Sequence, residues 1–260
     1  MGIDSDQKYQ QLCAVLKEFK KIAVAYSGGV DSSLLLKAAV DSLGAANVIA
    51  VFCRSVLQKP ETIDGVLSRG QEFGCEVKVI DFSPLACQEI IANTLKRCYF
   101  CKKKIYEAIL KEVHGCQLVD GTNSDDLKKD RPGLQALEEL QVRMPLAEVS
   151  LTKKEIRALS RMLGLVTWDL PSESCLATRI PVGTLLSEEA FERVCRGESF
   201  LTGLGFSGCR VRFEKQGVVI SIQEKDFVLI ADNHIRKQIH SFFLNFSNGK
   251  VLLDFSGRVG

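Results

Sequence analysis

No stretch of this chain carries enough consecutive apolar residues to span a membrane, and Met1-Gly2-Ile3-Asp4 opens no hydrophobic signal core. The expectation is a cytoplasmic protein with no membrane partner. An excess of one charge is also lacking. Lys and Arg number 34 against 32 Asp and Glu, a net charge of +2, which argues against strong electrostatic capture of nucleic acid while leaving room for a local basic groove. There are 3 histidines. His114 is the one nearest to the paired cysteines, and His234 and His240 are far off, so a Cys2His2 finger does not fit. A second CxxC is missing, which removes the four-cysteine zinc ribbon. The GxxxxGK[ST] spacing of the common P-loop is absent, together with its lysine. No internal repeat or low-complexity segment is found.

What remains is a globular composition: 260 residues, 46% hydrophobic and 25% charged, enough for one large domain or two smaller ones. Strand and helix signals alternate from Lys21 to Gly164. Strands are expected at Lys21–Tyr26, Asn47–Cys53, Glu76–Ile80, Gln117–Val119 and Val142–Met144. Helices are expected at Gln7–Lys20, Ser32–Leu43, Pro60–Phe73, from Ser83-Pro84, at Cys101–Val113 and Leu134–Leu140, and from the capping-box spacing Thr152-Lys153-Lys154-Glu155. The pattern predicts an α/β fold, a mainly parallel sheet flanked by helices, over residues 1–168. Residues 169–186, with two prolines and little periodicity, read as a linker or active-site loop. Residues 187–260 read as a small α+β domain: a helix capped by Ser187, paired strands Cys209–Phe213 and Val218–Ile222, helical residues Glu224–Phe243 and a last strand Val251–Phe255.

The chemistry begins at Ala25-Tyr26-Ser27-Gly28-Gly29-Val30-Asp31-Ser32-Ser33. A strand, a glycine turn and a helix in that order gather backbone N–H groups and the positive end of a helix at one point. Gly28 and Gly29 permit close approach, Ser27, Ser32 and Ser33 add hydroxyls, and Asp31 stands where it could hold Mg2+ together with phosphate and water. This is a phosphate cradle, and it resembles the PP-loop (SGGxDS) of ATP pyrophosphatases. That resemblance implies an adenine nucleotide alpha hydrolase-like fold, ATP bound by its β,γ-pyrophosphate, and transfer of AMP to a carboxylate or carbonyl oxygen. A turn that merely joins a strand to a helix is the plainer alternative.

Asp120-Gly121-Thr122-Asn123-Ser124-Asp125-Asp126 follows the Gln117–Val119 strand at the same carboxyl edge of the sheet. Asp126 could share magnesium with Asp31, and Arg131 could meet a phosphate, unless this is only a solvated acidic loop. Cys98-Tyr99-Phe100-Cys101 is a lone CxxC, open to redox, zinc and iron–sulfur readings. Cys175, in the Pro-flanked loop, is the best further thiol. Two buried structural thiols plus an incidental loop cysteine is the competing account. The other cysteines, Cys13, Cys53, Cys75, Cys87, Cys116, Cys195 and Cys209, fit core packing, Cys53 least well because it ends a strand on the ligand side. Arg210 and Arg212 alternate to one face of a strand and point to an anion site, with an exposed polar face as the alternative.

Taken together and in order, the PP-loop, Gly121-Thr122-Asn123 to Asp126 with Arg131-Pro132-Gly133, Cys175 to Arg179-Ile180-Pro181, and Arg210-Val211-Arg212-Phe213 resemble the LarE family over roughly residues 10 to 255. The family consists of ATP-dependent sulfur transferases that help build the nickel-pincer nucleotide of lactate racemase. The resemblance implies ATP, Mg2+ and pyridinium-3,5-biscarboxylic acid mononucleotide as the small-molecule substrate, adenylated on each carboxylate and then thiolated. It implies ATP contacts at Ala25, Ser27, Gly28, Gly29, Asp31, Ser32, Ser33, Gly121, Thr122 and Asn123. It implies substrate contacts at Arg179, Arg210, Arg212, Asp232 and Arg131. Cys98 and Cys101 beside Cys175 place the chain with the branch expected to carry a [4Fe–4S] cluster on three cysteines; sacrifice of the Cys175 sulfur is the other route in the family. One departure is Val182 after Pro181, where an aromatic is expected. A homo-oligomer, hand-over to other nickel-pincer biosynthesis proteins and no stable nucleic-acid partner complete the expectation. Another PP-loop enzyme such as a tRNA thiolase, or a non-catalytic nucleotide or metal sensor, is the alternative.

Overall fold

The computed structural model describes residues 5–128, 131–171, 174–246 and 249–258. The chain divides into two compact units, with breaks after Ser83, Leu95 and Leu170, so that Pro84–Leu95 groups with the C-terminal part. The sequence places a linker at 169–186 between two domains and does not foresee this excursion. Ser172 and Glu173 of the expected loop lie outside the described residues.

The first unit starts with α1 (Ser5–Leu16), β1 (Ile22–Ala25), α2 (Val30–Leu43), β2 (Val48–Arg54), α3 (Pro60–Gln71) and β3 (Glu76–Asp81). The chain then leaves for α4 (Gln88–Ile91) in the second unit. It returns as α5 (Arg97–Glu112), β4 (Gln117–Val119), α6 (Ser124–Leu127), α7 (Pro132–Glu139), α8 (Pro145–Glu148) and α9 (Lys153–Met162). The four strands form one sheet in the order β3-β2-β1-β4, parallel throughout, with Ala23 of β1 opposite Ile49 on one side and Leu118 on the other. β1 is apolar along its whole length because both faces of a parallel sheet are covered. Ile22 and Val24 pack with Leu12, Leu16, Leu34 and Ile156 on one face. Ala23 packs with Tyr106, Ile109 and Leu137 on the other, as the alternation of a strand requires.

Local signals account for several boundaries. Pro60 opens α3. Thr152 and Glu155 close the expected capping box on α9. The expected strand Val142–Met144 shrinks to one bridge, Val119 with Arg143. The helix expected at Ser83-Pro84 is a 3-10 turn, Pro84–Ala86, followed by the short α4. Most consequential is α5, which starts at Arg97 rather than Cys101 and so carries the CxxC on its first turn.

The second unit contains α4, the 3-10 turn Leu176–Arg179, α10 (Glu188–Gly203), β5 (Arg210–Glu214), β6 (Gly217–Gln223), α11 (Phe227–Ile230), α12 (Asn233–Leu244) and β7 (Lys250–Arg258). β5 and β6 are antiparallel, and β7 adds in parallel to β6. The helical span expected from Glu224 to Phe243 is interrupted at Asp232, whose carboxylate accepts the N–H groups of His234 and Ile235 and thereby starts α12. A separate core of Leu201, Phe206, Val211, Val218, Ile220, Ile239 and Phe243 supports this sheet. Among the described residues no helix is long and apolar enough to cross a membrane.

Candidate functional site

β1 has β2 on one side and β4 on the other, so the strand order reverses between β1 and β4, and ligands in such sheets bind outside the strand ends at this point. Both glycine turns lie there. After half-buried Ala25, Tyr26 donates its N–H to Val51 O at 2.9 Å and keeps the chain in line with the sheet. Gly28 then takes φ +73°, and a Cβ on it would stand 2.4 Å from Val66 Cγ2, so no side chain fits. Gly29 caps α2 without a side-chain bond, which leaves the first-turn N–H groups of a 14-residue helix to an incoming anion. Ser27 and Ser32 bring their hydroxyls to 3.2 Å, and Ser32 Oγ donates to Gly29 O at 3.1 Å, closing the turn on itself. The Ser33 hydroxyl is buried on the next position.

The turn after β4 is pressed against this cradle. A Cβ on Gly121 would stand 3.1 Å from Ser32 N and 3.3 Å from the Asp31 carbonyl carbon. Asn123 joins the two elements: its Oδ1 accepts the N–H groups of Asp125 and Asp126, and its Nδ2 donates to Asp31 Oδ1 at 3.3 Å. Asp126 and Asp31 both border Asn123, and Asp126 has further partners. It completes the capping box of α6 through Asn123 N–H and pairs with Arg131 at 3.0 Å. Arg131 is thus engaged by a carboxylate. The charged partner of Asp31 is Lys153, whose ammonium forms an ion pair with Asp31 Oδ2 while its backbone N–H donates to Asp125 Oδ2 at 2.9 Å.

Lys153 is a site residue the sequence reading missed; the capping box placed it at a helix start, and nothing set its side chain apart from a solvated lysine. Lys102 is a second. It follows Cys101 and reaches Asp120 Oδ2 at 3.5 Å, over the ring of Tyr106. Asp120 is buried, and burial would raise its pKa. Lys102, Thr122 and Tyr106 outweigh that and hold its carboxyl below the ordinary range. Thr122 is occupied by Asp120 through both its N–H and its hydroxyl.

Cys98 is exposed and Cys101 half-buried, three residues apart on the first turn of α5 and therefore on one helix face. Arg97 Nη2 lies 3.4 Å from Cys98 Sγ. Cys53, at the end of β2, is pushed up to about 11 by burial and then by Asp81, so it stays a neutral thiol near pH 7. Cys175 belongs to the second unit, where it caps the 3-10 turn Leu176–Arg179. Among the described residues no group of three or more His, Cys, Asp or Glu stands ready to hold a metal ion. Cys98 and Cys101 are brought together by their helix; Cys175 comes from a different unit.

Arg179 differs from its expected role. It is 3% exposed, and its guanidinium is held by Glu198, which is 0% exposed, rather than presented to a ligand. Arg210 and Arg212 are half-buried on one face of β5, with buried Val211 between them facing the core. Ser221, opposite Arg210 across the strand pair, donates to Asp254 Oδ2 at 2.9 Å. The carboxyl of Asp254 is held low by Ser221, the Ser256 groups and Arg212. Asp232 is exposed and serves as the N-cap of α12.

The family model for NAD synthase matches residues 10–105, the part that holds the glycine turn and the CxxC. The pyridinium-3,5-bisthiocarboxylic acid mononucleotide synthase of Lactiplantibacillus plantarum is 34% identical over 96% of this chain and 91% of its own length. An uncharacterized protein of Synechocystis is 34% identical over 97% of this chain and 95% of its own. One from Methanocaldococcus jannaschii is 33% identical over 90% and 89%.

Proposed function

The chain belongs to the LarE family of PP-loop enzymes, that of the pyridinium-3,5-bisthiocarboxylic acid mononucleotide synthase, and from that premise we propose that it adenylates the carboxylates of pyridinium-3,5-biscarboxylic acid mononucleotide and converts them to thiocarboxylates. The observation that carries this reading is the cradle itself, a turn without side chains at Gly28 and Gly29, with Gly121 close against Asp31 and Ser32, at the strand-order reversal. In the first step a substrate carboxylate oxygen bonds to the α-phosphorus of ATP and pyrophosphate leaves. The N–H groups of the α2 N-terminus and the hydroxyls of Ser27 and Ser32 stabilise that leaving group where its charge develops. Asp31 would hold Mg2+ with the phosphates, where the ion supplies charge neutralisation of the leaving group, and the Lys153 ammonium, now on Asp31, is within the same cluster to meet a phosphate oxygen.

In the second step a sulfide sulfur bonds to the acyl carbon and AMP leaves with the former carboxylate oxygen. Cys98, Cys101 and Cys175 would hold a [4Fe–4S] cluster, whose contribution when bound is an open iron that presents sulfide. The spacing of exposed Cys98 and half-buried Cys101 on one helix face suits two such thiolate ligands. Arg210 and Arg212 hold the phosphate and carboxylates of the anionic substrate on the second unit. The test is product analysis with ATP, the pyridinium nucleotide and sulfide under anaerobic conditions. AMP, pyrophosphate and a thiocarboxylate are expected; ADP as the nucleotide product, or sulfur appearing in tRNA instead, overturns the reading. Mass spectrometry of the Cys175 peptide after turnover separates the sulfur sources, because sacrifice removes one hydrogen sulfide and sulfide relay leaves the peptide unchanged.

A further inference from the structure

The second unit contains an ion pair shut away from water. Arg179 ends the 3-10 turn that Cys175 opens, and Glu198 lies in α10. Arg179 Nε donates to Glu198 Oε1 at 2.9 Å and Nη2 to Oε2 at 3.4 Å. Burying two charges costs more than their attraction returns unless the other donors and acceptors are also used, and a well-packed apolar pair is often at least as stable. Stability alone therefore gives little reason for a carboxylate on a helix face that otherwise buries Phe191, Val194 and Leu201.

The remaining bonds supply a reason. Arg179 Nη1 donates to Ser174 O and Oγ, both at 2.7 Å, to Cys175 O at 3.3 Å and to Thr178 Oγ1 at 3.1 Å. The guanidinium thus grips the backbone on both sides of the Cys175 Cα. On the far side, Glu198 Oε1 accepts the N–H of Val211 at 3.2 Å, the residue between Arg210 and Arg212. One buried carboxylate touches the holder of the thiol loop and the backbone of the arginine strand.

We propose that Glu198 is a positioning residue, which fixes the Cys175 loop through Arg179 and sets it in register with the Arg210–Arg212 strand. The sulfur-bearing position and the anion-reading arginines then form one rigid piece, and Arg179 is spent on holding it. This deepens the function proposed above and rests on it for the use made of Cys175, but not for the geometry.

Thiol reactivity tests it on the full chain, reduced and treated with chelator, using iodoacetamide with peptide mass spectrometry. Exposed Cys98 serves as the internal standard and buried Cys209 as the reporter of unfolding. Glu198→Gln keeps the volume and one acceptor but removes the charge opposite Arg179. Alkylation of Cys175 should speed up at least about tenfold, with Cys98 unchanged and Cys209 still protected. Arg179→Lys keeps a cation beside Glu198 but cannot reach the Ser174 and Cys175 carbonyls together, and should show the same pattern. An unchanged Cys175 rate in either folded variant overturns the proposal. So does loss of Cys209 protection in both, which makes the pair a matter of stability only. In turnover, Glu198→Gln should lower kcat for thiolation at least tenfold and leave the KM for ATP as it was. Because alkylation needs neither ATP nor substrate, a protein that shows the expected thiol pattern but transfers no sulfur refutes the function and leaves the positioning role standing.

Discussion

Lys153 and Asp31 form an ion pair, and the proposed nucleotide step turns on it. The ammonium rests on the carboxylate; in the proposed step it would meet a phosphate of ATP. A charge-assisted contact of this kind contributes about 1.5–3 kcal/mol. Lys153→Met should therefore raise the KM for ATP roughly tenfold to a hundredfold while the melting curve stays close to that of the parent. Asp31→Asn should instead abolish most turnover and make the remainder insensitive to magnesium concentration. Glu155 has a different task. Burial would raise its carboxyl, but Lys8 and the Thr152 hydroxyl and N–H bring it down to about 2. A carboxylate lowered by folding contributes stability above its unfolded pKa, near 4.5, which is lost as pH falls toward the folded value. Glu155→Gln should cost about 1 kcal/mol at pH 7 through the weakened cap, and its urea midpoint should converge on the parent's between pH 4.5 and 2. Persistence of the full gap at pH 2 would count against this assignment.

At the scale of elements, the strand–turn–helix from Ile22 to Leu43 was legible because its signals are local: an apolar run, two glycines, then an Ala- and Leu-rich helix. Gly28→Ala tests how closely that turn is fitted. The new methyl meets Val66 and the left-handed backbone is strained, so a loss of about 1–3 kcal/mol should accompany loss of ATP binding, read by calorimetry and chemical denaturation. The start of α5 was not legible. Its capping position, Lys96, has helical φ and ψ and makes no side-chain bond, so no Ser, Thr, Asp or Asn marks the boundary. Partners distant in sequence were equally hidden. Glu198 belongs to a helix whose Glu188, Glu189 and Glu192 are exposed; its spacing from Phe191, Val194 and Leu201 puts it on the buried face, but no local signal names the partner it meets there. Arg179 therefore read as a ligand for substrate when its partner lay 19 residues away.

At the scale of the whole molecule, the excursion of Pro84–Leu95 into the second unit matters most. Asn93 is fully buried at φ +47°, a conformation asparagine tolerates better than most residues. Its Nδ2 donates to the carbonyls of Pro181 and Thr184 at 2.9 and 3.0 Å, and to that of Ile180 at 3.4 Å. Its own carbonyl accepts the N–H of Gly183 at 3.0 Å. It holds the distal part of the Cys175 loop, much as Arg179 holds the near part. Asn93→Asp keeps the shape but sets a carboxylate against carbonyl oxygens. It should destabilise the second unit by about 1–3 kcal/mol or more and speed exchange of the Gly183 amide, with partial recovery as the new acid is protonated at low pH. An unaltered Gly183 exchange rate would count against this role for Asn93.

The same excursion sets a schedule for biosynthesis. Ribosomes add about 5–20 residues per second, and the carbonyls that Asn93 will bind are encoded well downstream of it. The first unit is incomplete over most of that interval too, since β4, which flanks β1, and every later element up to Leu170 are made only after the excursion has passed. The nascent chain therefore holds two unfinished units at once for several seconds, and α4, with Ile90 destined for full burial, waits in solvent for a partner not yet made. Translation speed across the codons for residues 96–170 becomes a determinant of yield: slow passage prolongs the exposure of an apolar segment that the finished protein conceals.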